Sequence, residues 1–376
     1  MNPAGNSHDG DTAIVGASGF LGWHLRVLMH ATGHPQPRLV TRADLTGPPE
    51  RLTALLDGTR RVFHLAGTCR GEPADIRTGN TTLAHRLDAA IRRCVAPPAE
   101  LVYANSVQAG NGSPYGDAKQ EAAEVLRGTV AANGGVLRDV ALPNLYGEHG
   151  RPFHNSVVAT FCHQLAGGEP LTVHDDRELE LLHATDAAAY LLAADRRPAP
   201  QVVHTGVHDI AGRIGAFAAA YRGSTIPHLT DDFDVRLFNA YRSHAVDRHA
   251  QHGLPRTRDR RGELFEAAKT AGGGGQVFVS TTAPGQTRGE HYHLDKIERF
   301  VVLSGTAEIR LRRLLDDTVV RIRVSGDDPQ AVDMPAKWVH SITNIGTGEL
   351  LTLFWANEVF NPDDPDTYPE PVTPAR

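Results

Sequence analysis

The apolar positions of this chain follow two different periods, and the change falls near Arg256. Before it, short apolar runs alternate with segments whose apolar residues return every three or four positions. Ala13-Ile14-Val15, Val62-Phe63-His64-Leu65 and Glu100 to Ala104 read as short buried strands. Leu83, Leu87, Ala90 and Ile91, and then Ala122, Val125 and Leu126, keep helical spacing. Strands alternating with helices predict a doubly wound parallel sheet. After Arg256 the period is two. Ala307, Ile309 and Leu311 alternate with Glu308, Arg310 and Arg312, while Val320, Ile322 and Val324 alternate with Arg321 and Arg323. Leu350 to Ala356 is a further apolar strand, and the glycine run Gly272 to Gly275 reads as a hairpin loop because no helix follows it. This half predicts a double-sheet antiparallel barrel. The expected fold class is therefore α/β plus all-β, divided into residues 1–245 and 246–376. Arg213 to Tyr221 and the polar loop at Thr230 to Asp234 suggest a small covering subdomain at the end of the first part.

Length and charge narrow the function classes. A chain of 376 residues accommodates two domains. Its net charge of −6, with both signs interspersed, leaves no basic footprint for nucleic acid. Cys69, Cys94 and Cys162 are odd in number and widely spaced, which suits a reducing compartment. No apolar run reaches membrane-spanning length, and Met1 to Asp11 is polar, so a soluble cytoplasmic protein without a membrane partner is expected. The histidines of Ser243 to His249 match no metal-ligand spacing.

The first chemical signal is Gly16-Ala17-Ser18-Gly19-Phe20-Leu21-Gly22, which leaves a strand and opens a helix. Such a turn lets a pyrophosphate approach the backbone and rest on the helix N-terminus, so a nicotinamide dinucleotide is expected there. The next strand ends in Thr41 and Arg42 where an NAD site usually carries an acid. NADP(H) is thus favoured, with Arg42 facing the 2′-phosphate or else standing as a surface charge. Tyr115 and Lys119 lie four apart on the helix that Pro114 opens, and an ammonium beside a phenol lowers its pKa. Tyr115 then serves as proton donor to a carbonyl under reduction, and Ser106 hydrogen-bonds the same oxygen.

A second signal sits in the all-β half. His291 and His293 are alternate residues of an expected strand, Glu298 returns on the next, and His340 lies further on. Three imidazoles and a carboxylate suit a divalent metal, zinc first.

These motifs carry two resemblances. From Thr12 to about Ala194 the chain resembles the extended short-chain dehydrogenase/reductases that act on nucleotide sugars, through the glycine turn, His64-Leu65-Ala66-Gly67, Ser106 and the Tyr115/Lys119 pair. The resemblance implies that Leu65, Ala66 and Gly67 border the coenzyme. It also implies that Pro143-Asn144-Leu145-Tyr146-Gly147 and Thr185-Asp186-Ala187-Ala188 shape a sugar-nucleotide pocket, with Asn144 on the substrate. Arg151, His154 and Asn155, just downstream, can reach a diphosphate. Gly285, His291, His293, Glu298 and Gly305, with Pro335, His340 and Asn344, resemble the two cupin motifs, Lys337 standing where glycine is usual.

Arg261-Gly262, Glu266, Gln276, Ser280 and Arg288-Gly289-x-His291-Tyr292 further resemble deoxysugar 3,5-epimerases. With Phe354 to Glu358 and Asp363 to Tyr368, the whole chain resembles CapF-type bifunctional capsular-polysaccharide enzymes. That resemblance implies C3 epimerisation of a UDP-4-keto-6-deoxy-2-acetamido sugar by the cupin, followed by C4 reduction with NADPH. A homodimer is expected as well. His291 is claimed both as ligand and as base; Lys296, Glu290 and Tyr292 are the neighbouring candidates for the base, and Lys296 matches a CapF lysine. The other readings are a ketoreductase whose cupin is structural or dimerising, and a non-catalytic sugar-nucleotide sensor.

Overall fold

The computed structural model describes residues 11–173, 175–193, 198–260, 262–272 and 274–374, without the side chains of 258 and 262–264. Met1 to Gly10, Arg196, Arg197, Arg261 and Gly273, on which parts of the sequence reading fell, lie outside the described residues. Two compact units emerge. The first comprises Met1–Tyr146, Phe153–Ser156 and Glu178–Thr205, and the second Gly147–Pro152, Val157–Arg177 and Gly206–Arg376.

The first unit alternates strand and helix: β1 (Thr12–Val15), α1 (Phe20–Ala31), β2 (Arg38–Val40), α2 (Arg42–Thr46), α3 (Pro49–Leu56), β3 (Arg61–His64), α4 (Pro73–Ile91), β4 (Glu100–Ser106), α5 (Pro114–Ala132) and β5 (Val136–Leu142). The five strands form one parallel sheet in the order β2-β1-β3-β4-β5. Successive strand side chains point to opposite faces, and both faces are buried. Ala13 and Val15 join Leu87, Ala122 and Leu126 of α4 and α5 in one core, whereas Ile14 joins Leu25 of α1 and Leu191 of the helix Ala184–Ala193 in the other. The strand order reverses between β1 and β3, which places the crevice for a ligand beyond their C-terminal ends. Asn144–Tyr146 pairs in parallel with Glu178–His183 in a separate three-stranded sheet.

In the second unit two five-stranded sheets pack face to face. One runs Gln251–Gly253, Gln330–Met334, Glu298–Ser304, Leu350–Ala356, Gln276–Thr282; the other runs Val319–Ser325, Thr306–Arg313, Trp338–Asn344, Thr287–Tyr292, Tyr368–Pro369. Phe300, Val332 and Phe354 of the first sheet share a core with Ile309, Val324 and Ile342 of the second. Ala307, Ile309 and Leu311 point inward as their alternation predicts. Two neighbours depart from the pattern. Val320 is exposed, because its strand lies at the sheet edge. Arg312 is buried, because its guanidinium donates to the carbonyls of Asp316, Pro371 and Val372 and pairs with Glu370.

The boundary expected at 245 falls inside the helix Asp232–His249. That helix is stitched to the all-β half: Arg242 Nη2 donates to Met334 O at 2.7 Å and Asn239 Nδ2 to Asp295 O at 2.7 Å. Residues from Gly206 onward therefore group with the barrel. Among the described residues, no helix is long and apolar enough to cross a membrane.

Candidate active site and metal centre

In the first unit the glycine turn is fixed by close approach. Gly16 has a φ of 89°, and a Cβ there would lie 2.7 Å from Ala66 N; at Gly22 it would lie 2.2 Å from Gly16 O. The turn is thus wedged against the Leu65-Ala66-Gly67 segment that follows β3, whose Leu65 N donates to Val15 O. Gly19 caps α1 without any side-chain hydrogen bond, and Ser18, Phe20 and Leu21 complete the turn. The segment after Gly67 has an anchor that the sequence pattern did not single out. Buried Asn80 accepts from Thr68 N and donates to Thr68 O at 2.7 Å and Ile76 O at 2.8 Å. Only its place on α4 opposite Gly67 makes it visible.

The end of β2 bears on the coenzyme expected there. An acid does stand near, Asp44, but it is spent locally. Its carboxylate accepts from Thr41 N at 2.8 Å and Thr41 Oγ1 at 2.6 Å and pairs with Arg51, which together hold it below the ordinary carboxylate range. Arg42 opens α2 and is exposed.

Ser106 ends β4, and Tyr115 and Lys119 stand in the first turns of α5, which Ser113 caps by accepting from Gly116 N at 3.0 Å. Ser106 lies close enough to Tyr115 to favour its charged form. Lys119 is buried; its Nζ donates to Ala104 O at 2.6 Å and lies 4.1 Å from the Tyr103 ring centroid. The expected lowering of the Tyr115 pKa is not found. Burial, followed by Cys69, raises it, and Ser106 pulls it part of the way back. The ammonium is turned instead into the Ala104 carbonyl, and burial brings Lys119 down to about 7 against the pull of Asp139 and Cys69. Asn155 lies at a φ of 59° and donates to Cys69 O at 2.8 Å; Asn144 is exposed at the start of its short strand.

In the second unit His291, His293, Glu298 and His340 offer ligand atoms that all lie within 4.8 Å of one another. A bulge aims the first of them. The register between Thr287–Tyr292 and Trp338–Asn344 shifts between Gly289 and His291, with Glu290 at a φ of 58°, and this sets His291 directly opposite His340. His293 lies just past the strand end, and Glu298 begins a strand of the other sheet, so the cluster bridges both sheets.

His293 Nδ1 is 2.5 Å from Asp366 O and His340 Nδ1 is 3.3 Å from Trp338 O. A carbonyl only accepts, so each Nδ1 carries a proton and Nε2 is the atom that can offer a lone pair to a metal. Without one, burial opposes a charge on His293, yet Glu298 and Asp366 raise its pKa. Both Nε2 atoms face Glu298 Oε2, at 3.0 and 3.3 Å. Two Nε2 atoms and a carboxylate directed at one point form a donor set that fits a divalent transition metal. Burial and the neighbouring imidazoles bring His291 down to about 4, which keeps it neutral and available as a ligand. Burial opposes the charge on Glu298, yet contacts with His293 and His340 hold its pKa well below the usual range.

Each of the three candidates for a base has partners of its own. Lys296 is buried, with Nζ donating to Pro365 O at 2.5 Å and 3.4 Å from Glu358. Glu290 accepts from Val372 N at 2.6 Å, and Tyr292 stacks on Tyr368 with burial raising its pKa. Lys337 is fully buried at a φ of 63°, its Nζ 2.8 Å from Glu148 and donating to Leu294 O at 2.8 Å.

Two family models match separate stretches of the chain. Residues 12–206 match the NAD dependent epimerase/dehydratase family, and residues 257–368 match the polysaccharide biosynthesis C-terminal domain. The UDP-2-acetamido-2,6-beta-L-arabino-hexul-4-ose reductase of Pseudomonas aeruginosa is 31% identical over 369 residues, 94% of this chain and 97% of the relative. The capsular polysaccharide assembling protein CapF from Staphylococcus aureus superposes with a TM-score of 0.61 at 31% identity, covering 96% of this chain and 99% of that one. A second CapF structure, with the inhibitor 3-isopropenyl-tropolone, gives 0.56 at 29%, with coverage of 96% and 99%. The chain belongs to the NAD dependent epimerase/dehydratase family, in the CapF-type form that carries a polysaccharide biosynthesis C-terminal domain on the same polypeptide.

Proposed function

We propose that this chain converts a nucleotide-linked 4-keto-6-deoxy sugar in two steps, epimerising C3 in its all-β unit and reducing C4 in its Rossmann-type unit. The observation that carries the reduction is the grouping of Ser106, Tyr115 and Lys119 on β4 and α5 in a chain whose full-length relative is a UDP-hexulose reductase. Tyr115 gives a proton to the C4 oxygen, Ser106 hydrogen-bonds that oxygen, and Lys119, its Nζ held by Ala104 O, borders the coenzyme on the same helix. NADP(H) is the preferred coenzyme, since Asp44 is occupied and Arg42 is exposed. Gly16, Ser18, Gly19, Phe20, Leu21, Gly22, Arg42, Leu65, Ala66 and Gly67, with Tyr115 and Lys119, form its site, and Asn144 and Asn155 contact the substrate.

For the epimerisation, a C4 ketone acidifies the C3 hydrogen because the carbanion spreads into an enolate. His291, His293, Glu298 and His340 would hold the metal of a cupin centre, zinc by preference. When bound, the coenzyme supplies a hydride and the metal a Lewis acid. Lys296, held beside the ligand segment by Pro365 and Glu358, is the residue proposed to take the C3 proton, and protonation from the opposite face inverts the centre. Reduction of C4 then makes the inversion permanent, because an alcohol no longer acidifies its neighbour. UDP and a 2-acetamido group are the preferred substrate features, on the model of the Pseudomonas aeruginosa relative.

The homodimer has a specific surface in its favour. Val277, Phe278 and Val279 are exposed on Gln276–Thr282, an edge strand whose outer backbone groups lack a neighbour strand among the described residues. Such an edge invites pairing with a second copy. The proposed location of the assembly is the cytoplasm.

The test is deuterium exchange in D2O with UDP- and dTDP-linked 4-keto sugars side by side. Exchange at C3 without coenzyme, and NADPH oxidation once it is added, are expected with the UDP sugar. NADPH oxidation without any C3 exchange would leave a ketoreductase with a structural barrel and overturn the two-step reading.

A further inference from the structure

The metal-ligand segment does not stand alone. Residues 357–372 run along it as a strap. Asn357 accepts from Ile297 N at 2.8 Å, and its own N donates back to Ile297 O. Tyr368–Pro369 pairs with His291 and Tyr292, and the Tyr368 ring stacks on Tyr292 at 5.2 Å. At the centre of the strap is Asp366, in a left-handed conformation (φ 41°) that a side-chain-bearing residue adopts only when its surroundings hold it there.

What holds it is an unusual set of bonds. One carboxylate accepts three consecutive backbone N–H groups, from Leu294 at 2.8 Å, Asp295 at 2.9 Å and Lys296 at 2.7 Å. The same residue's carbonyl takes the Nδ1 proton of His293. The chain between ligands His293 and Glu298 is thus folded around a single side chain, and that side chain's own backbone fixes the tautomer of the first ligand. Without an acceptor at Nδ1, the imidazole is free to place its proton on Nε2, the atom aimed at Glu298.

We propose that Asp366 is a positioning residue of the metal centre: it gathers the N–H groups of Leu294, Asp295 and Lys296 and so holds its carbonyl on His293, leaving Nε2 as the ligand atom. The inference rests on the metal reading given above, and its tests separate the two. In the metal-free protein, long-range ¹H–¹⁵N NMR reads the imidazole tautomers directly. The His293 ring is expected as the Nδ1–H form in the parent chain and as a mixture in Asp366→Ala. Zinc affinity, measured by competition with a chromophoric chelator, is expected to fall about 10- to 100-fold in Asp366→Ala. Asp366→Asn, which keeps one acceptor oxygen, should lose less.

Glu370→Gln is the control. It breaks the strap's ion pair with Arg312, leaves the bonds of Asp366 to Leu294, Asp295 and Lys296 in place, and should keep parental affinity and tautomer. Equal losses in Asp366→Ala and Glu370→Gln would reduce Asp366 to a general anchor of the strap and overturn the proposal. So would an unchanged His293 tautomer in Asp366→Ala. Failure of the parent chain to bind zinc would instead sink the metal reading, while the NMR comparison would still decide the role of Asp366.

Discussion

Lys119 shows how a single buried charge reports on both activity and stability. Burial lowers it to about 7, whereas an unfolded lysine titrates near 10.4. Between those values the unfolded chain holds a proton that the folded chain lacks, so stability rises with pH from about 7 to about 10 and the full cost of the buried charge is present below 7. Lys119→Met removes that cost. Its melting temperature at pH 6 should exceed the parent's by a few degrees, with the gain fading by pH 10, while C4 reduction falls about 100-fold or more. Thermal melts at the two pH values and an NADPH oxidation assay check both halves; a lower melting temperature at pH 6 would refute the assignment. Tyr115, Lys119 and Ser106 were visible in the sequence because helical spacing and a strand end bring them together by local geometry. Asn80 and Asp366 were not, since each acts through backbone groups that only the folded chain brings near. The direction of the Tyr115 shift was missed for a related reason: the sequence shows which charges are close but not how deeply they are buried.

At the level of elements, the glycine turn and α1 behave as one piece. A methyl group at Gly22 would meet Gly16 O at 2.2 Å and force the helix away from β1. Gly22→Ala is therefore expected to lose coenzyme binding, read as quenched NADPH fluorescence enhancement, and to cost about 1–3 kcal/mol in denaturant unfolding. Parental coenzyme affinity in that variant would show that the turn tolerates displacement. Alternation correctly announced the inward rows of the all-β half, because a strand's period of two is a strong local signal. It failed at Arg312 and Val320, where burial is decided by a strap and a sheet edge that lie far off in sequence. The same limit applies to Glu290: spacing alone put His291 and His293 on one face, yet the bulge at Glu290 sets the aim of His291.

Across the whole molecule, the second unit depends on a charge pair in its interior. Arg299 Nε and Nη2 meet Asp333 at 2.7 and 2.9 Å, both residues are almost wholly buried, and Arg299 Nη1 donates to Ser224 O at 2.7 Å. The pair thus links the helical part after Gly206 to the barrel, which explains why period and composition placed the boundary later than the packing does. Asp333→Asn leaves a buried guanidinium without its anion and should cost about 3–5 kcal/mol, measured by urea unfolding. The Asp333 pKa is depressed, so its contribution is complete above about pH 4 and is lost only as pH falls through its folded value. The variant's deficit should accordingly persist from pH 8 down to pH 4; a deficit that vanished by pH 5 would contradict this account. The ion pair between Glu148 and Lys337 has a different consequence, one for synthesis. Glu148 belongs to a short piece of the second unit that is translated before the first unit is complete, and its cation arrives only with the barrel. During translation, then, the Rossmann-type sheet can close while a carboxylate destined for the interior waits in water, and the second unit matures later, as a separate folding event.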